Sequence, residues 1–264
     1  MDETLPELVE KALVGNPRPL EFYLREESHL PGARANLALV NQLGDLLAVY
    51  TSERADQIWE LLHYLTQDAL KVGSNTPAEF VALCGVAAFG PFAIACGKRP
   101  EQVFVLLEQF ACSESWRVRE GVAMAIQKLL PALPDETLHF LFGLASNGNY
   151  YQVRACIAGI AEPQLMPVVS IREGALEIQQ IILERFHAIP ASDRKREDVC
   201  VLRQALGYTL SVIVAAQPET GFALMQTCAT WNDSDIHWIL RENLKKKRLA
   251  KYSEDVEKLR VMLL

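Results

Sequence analysis

Four segments of this chain open on one short pattern: an aromatic residue or Cys, any residue, Val or Leu, then Arg, with an aliphatic residue three places later. They are Trp116-Arg117-Val118-Arg119 running to Val122, Tyr151-Gln152-Val153-Arg154 to Ile157, Cys200-Val201-Leu202-Arg203 to Leu206, and Trp238-Ile239-Leu240-Arg241 to Leu244. The separations from Arg to Arg are 35, 49 and 38 residues. Spacings of that order belong to helical-hairpin repeats, in which each helix pair buries its apolar face only against its neighbours. On a helix, the Val or Leu and the later aliphatic are four residues apart and share one face, so both enter a core. The motif therefore reads as a packing unit, and it predicts that Trp116, Tyr151 and Trp238 fill seams between helices.

Helical periodicity dominates the rest, and no series of alternating apolar and polar residues bounded by hairpin turns competes with it. The pattern predicts helices over 5–14, 17–27, 33–50, 53–71, 77–96, 99–111, 115–131, 134–146, 149–161, 171–188, 196–216, 218–230, 234–247 and 253–263. Short turns such as Gly15-Asn16-Pro17, Leu30-Pro31-Gly32 and Ser146-Asn147-Gly148-Asn149 separate them, which favours antiparallel neighbours. The fold class expected is all-α, a right-handed superhelix of about six helical pairs.

Phe80 to Gly97 carries no charge over 18 residues, just long enough to be tested as a membrane span. Its Ala and Gly content and its Gly90-Pro91 step point instead to a buried inner helix with a kink or turn, and no membrane association is expected. The amino terminus is acidic where an export signal would be basic and then apolar. Six cysteines lie scattered at separations of 12, 16, 44, 44 and 28, with no CxxC pair. They read as reduced thiols of a cytoplasmic protein rather than as a metal site.

The segments "SESWRVREGVAMAIQKLL", "GNYYQVRACIAGI" and "DIHWILRENLKKKRL" resemble second helices of HEAT-like repeats. Their spacing is also similar to the HEAT-like proteins grouped with the alkylpurine DNA glycosylases. The resemblance covers residues 77–250, leaves 1–76 as divergent repeats and 251–264 as a capping helix, and implies one solenoid over 1–264. What it implies for activity is base excision on alkylated DNA, which requires a carboxylate to stabilise the positive sugar and aromatic walls to hold the nucleotide. The candidate carboxylates are Asp233, flanked by Trp231 and Trp238, and Glu120, four residues after Trp116. The Asp233 constellation sits near the last repeat, not in a central groove as in the glycosylases, and Trp116 with Glu120 is the next candidate.

Other readings of the same residues are structural. Asp233 ahead of Trp238 is an ordinary helix cap, and Arg119, Arg154, Arg203 and Arg241 either line a groove or bridge helices through carbonyls and carboxylates. Arg241, Lys245, Lys246, Lys247, Arg248 and Lys251 form the densest run of cations, with Glu242 the lone acid, and are the best local phosphate contact. Yet acids exceed Lys and Arg by 33 to 26, a net charge of -7 that disfavours a protein built mainly to hold nucleic acid. The turn at Pro31-Gly32 leads to Arg34, which is expected to open a helix. No histidine pair has ligand spacing and no nucleotide-binding motif occurs, so no metal or cofactor is expected. The sequence points to a non-catalytic scaffold that binds another macromolecule, with protein preferred and nucleic acid the alternative.

Overall fold

The computed structural model describes residues 4–98 and 100–264. The expected helix start at residue 99 and the first three residues of the acidic amino terminus lie outside them. The chain is all-α: helix accounts for 75% of it, and no strand occurs among the described residues. It divides into two compact units, Met1–Leu133 and Pro134–Leu264.

The first unit holds α1 (Leu5–Leu13), α2 (Arg18–Glu26), α3 (Leu37–Thr66), α4 (Pro77–Cys96), α5 (Pro100–Phe110) and α6 (Trp116–Ala132). Where two helices are expected over 33–71, α3 is one run bent at Arg54, whose φ of -133° leaves the helical region. It begins at Leu37 rather than at Arg34, because the Asn36 side chain accepts the Leu39 amide and so sets the first turn. The uncharged segment becomes α4, started by the Thr76 cap and Pro77 and ended by Gly97 in the left-handed region at φ 62°. Every residue from Glu79 to Ala93 is buried, and the helix continues past Pro91 without ending in the turn that was one expectation there. Burial all round its circumference explains the absence of a polar face. A Cβ at Gly90 would lie 2.7 Å from the Ala125 carbonyl oxygen, so α4 and α6 meet there backbone to backbone.

The second unit holds α7 (Pro134–Asn147), α8 (Tyr150–Ile160), α9 (Val169–His187), α10 (Glu197–Ala216), α11 (Pro218–Ala229), α12 (Ser234–Leu244), a 3₁₀ turn (Lys247–Leu249) and α13 (Ser253–Met262). Its helices alternate between two layers: α8, α10 and α12 stack on one another, as do α7, α9, α11 and α13. In the first unit α2, α4 and α6 form one such layer, and α1 packs on α3. Asn243, fully buried, fastens α10 to α12 by accepting the Ser211 amide at 2.8 Å and donating to the carbonyls of Leu206 and Ile239.

Candidate functional site

The motif residues do different things in the two units. At the start of α6 the Ser115 hydroxyl caps the helix, and Arg117 and Arg119 are both buried while Trp116 is 49% exposed. The seam position expected for Trp116 is therefore corrected. The helix turns its two arginines inward and lays the indole over the Arg117 guanidinium, 4.5 Å away. Arg117 donates to Glu79 at 2.8 Å and to the Gly32 carbonyl at 3.0 Å. Glu79 has no exposed surface and also accepts the Ser115 hydroxyl and the Asn75 amide, so its lone pairs are well occupied. Gly32 in turn donates to Asn75, which ties the Pro31-Gly32 turn to the loop before α4. Arg119 donates to the carbonyls of Ser113 and Glu114, and Glu120 follows half-buried on the same helix. The whole cluster is a clamp on three loops, and its cations offer little charge to a ligand.

In the second unit a ladder of rings and charges joins the end of α9 to the start of α12. His187 stacks on Trp231 with centroids 4.7 Å apart and lies 2.9 Å from Asp233 through Nδ1. Arg194 donates to the same Asp233 oxygen at 2.8 Å and approaches Asp235 at 3.4 Å, with its guanidinium over Phe186. Asp235 meets Arg203 next: Nε lies 2.7 Å from Oδ1, an ion pair by distance whose N–H points off the hydrogen-bond line. Arg203 covers the Trp238 ring at 3.9 Å, and the ring's other neighbour is Gly207, where a Cβ would lie 3.1 Å from it. Trp238 is thus held as a packing element between α10 and α12.

Asp233 is the centre of this ladder. Its Oδ1 caps α12 by accepting the amides of Asp235 and Ile236, while Oδ2 takes His187 and Arg194. Burial works to raise its pKa and is outweighed by the bonds from His187, the Ile236 amide and Arg194, so the carboxyl is held below its ordinary value. A carboxylate so engaged has its lone pairs committed to the fold. Asp233, Arg203 and Trp238 come together; Arg154 stands half-buried on α8, and Arg241 reaches the Leu263 carbonyl at the end of α13. Arg119 and Glu120 belong to the other unit.

Lys245, Lys246 and Lys247 close α12 and begin the 3₁₀ turn, where they line an open cavity of about 550 Å³ against α13. Lys245 pairs with Glu242, whose pKa that bond lowers. Sequence reasoning missed Glu79, His187, Arg194, Asn243 and Arg260. Arg117 lies inside the quoted motif, and its pairing with a buried acid 38 residues earlier leaves no local signal. No model of a known protein family matches this chain, and no curated protein does.

Proposed function

We propose that the chain is a non-catalytic scaffold, a right-handed HEAT-like superhelix of about six helical pairs that binds another protein on its concave surface in the cytoplasm. What supports this reading above all is Asp233. The best carboxylate for glycosylase chemistry is occupied by two helix amides, a histidine and an arginine, which leaves it unsuited to meeting a developing positive sugar. The alternation of even- and odd-numbered helices into layers within the second unit is the packing that helical-hairpin repeats require. The acidic balance favours a protein over a nucleic acid as partner.

The experiment is capture of partners from a cytosolic extract with and without nuclease, run beside release of methylated purines from duplex DNA. A protein retained after nuclease, with no base release, is the expected result. Base release that disappears in Asp233→Asn or Glu120→Gln would overturn the scaffold reading. A second reading, nucleic-acid binding through Lys245, Lys246 and Lys247, is favoured by the exposure of Lys245 and Lys247, with Lys246 half-buried between them. It requires duplex DNA binding that falls steeply with salt and is lost in the triple Ala variant.

A further inference from the structure

We propose that the cavity between the carboxyl end of α12 and α13 is a binding site for a phosphate monoester carried on a small apolar body. The cavity measures about 550 Å³, within the roughly 300–1,000 Å³ typical of small-molecule sites. Four cations line it, Lys245, Lys246, Lys247 and Arg260, against the single acid Glu257. Two of the four already have partners: Lys245 lies 2.5 Å from Glu242, and Arg260 lies 3.4 Å from Glu257. Lys246 and Lys247 form no close ion pair among the described residues, although the charge of Lys246 acts on Glu242 from a distance.

That leaves two positive charges without a close ion pair next to each other in a concavity, on a chain whose net charge is -7. Their mutual repulsion is relieved by a dianion, and a phosphate monoester near neutral pH is close to one. Ser253, the first residue of α13, also lines the cavity and adds a hydroxyl donor at a helix start where backbone amides are unpaired. Leu244 and Val256, each 6% exposed, form an apolar floor suited to the body that carries the phosphate. The cavity is bounded by the end of α12 and one face of α13, a single concavity of about 550 Å³ that suits one ester better than the continuous phosphate track of a duplex. The site belongs wholly to the second unit and rests on neither functional reading above.

The test is calorimetric titration of the full chain with phenyl phosphate at about 150 mM salt, where distant surface charges are screened. Saturable binding is expected, weakened about tenfold or more in the Lys246→Ala/Lys247→Ala double variant, whose fold is checked by circular dichroism. Benzenesulfonate, the same ring with one charge, is expected to bind several-fold more weakly. Absence of saturable binding, equal binding by the double variant, or equal binding of the sulfonate overturns the proposal. So does duplex DNA that outcompetes phenyl phosphate and loses its hold in the double variant, because the run would then be a phosphodiester track. Vesicles of phosphatidylcholine with and without phosphatidic acid separate the sources of the ester. Sedimentation only with phosphatidic acid, lost in the double variant, assigns a lipid headgroup; phenyl phosphate binding without sedimentation assigns a soluble ester.

Discussion

Neighbouring residues of one motif, Trp116 and Arg117, carry opposite burdens. A large aromatic in a helical repeat invites the expectation of a buried seam residue, yet the indole is half in water and the guanidinium beneath it is 4% exposed. Trp116→Ala is therefore expected to cost about 1 kcal/mol or less, the value of a surface cation–π contact. Arg117→Ala leaves Glu79 charged, buried and short of its partner, which typically costs about 3–5 kcal/mol. Denaturant midpoints of the two variants should differ in that order, and equal losses would refute the inward clamp. Asp233 adds a pH term. Because its pKa is lowered on folding, its contribution is complete above the unfolded value of about 3.9 and is lost as pH falls through the folded value. The stability gap between wild type and Asp233→Asn should accordingly narrow below about pH 4; a gap independent of pH would contradict the ladder. Among the thiols, burial pushes Cys84 and Cys156 far up and Cys228 up to about 12, whereas Cys96, Cys112 and Cys200 are half-buried. A thiol reagent at mildly alkaline pH should label native protein only at the latter three. Rapid labelling of all six without denaturant would show that the core opens.

Among the helices, those most completely buried were the ones with the weakest amphipathic signal. α4 has no polar face, so periodicity could locate it but could not say which neighbours cover it; the answer came from Gly90 against Ala125 and from Gly44 against Pro91. Pro91 marked a break in the sequence reading because proline removes a helix hydrogen bond. Burial on all sides lets the helix continue through it. α10 and α12 show the reverse case: their motif was visible, but the residue that fixes their pairing, Asn243, carries no mark in the sequence. Asn243→Ala strips partners from the buried Ser211 amide and from the carbonyls of Leu206 and Ile239. A loss of about 2–3 kcal/mol in unfolding free energy is expected, above that of a typical surface substitution. An unchanged midpoint would mean that α10 and α12 keep their register without it.

At the scale of the molecule, two helices among the described residues, α4 and α10, are long and apolar enough to cross a membrane by length and composition. Within the structure 83% of the α4 window and 61% of the α10 window are buried, so most of the surface that would face lipid faces protein. The chain is expected to stay in the supernatant when membranes are pelleted; recovery with membranes after a carbonate wash would refute that. The helical class and most helix placements were legible because they rest on local physics: apolar residues at helical spacing, Asp233 as a cap, and proline and glycine at the ends, whereas the Asn36 cap and the continuity of α3 were not read. The cap at Asp233 was readable for the same reason, since it bonds only to the next turn. What the sequence did not contain is which distant groups meet. Arg117 with Glu79, His187 and Arg194 with Asp233, and Arg260 with the lysine run depend on how helices far apart in sequence stack. Periodicity determines that a residue turns inward, whereas tertiary packing alone decides what it finds there, because pairing energies act through space and leave no imprint on spacing along the chain.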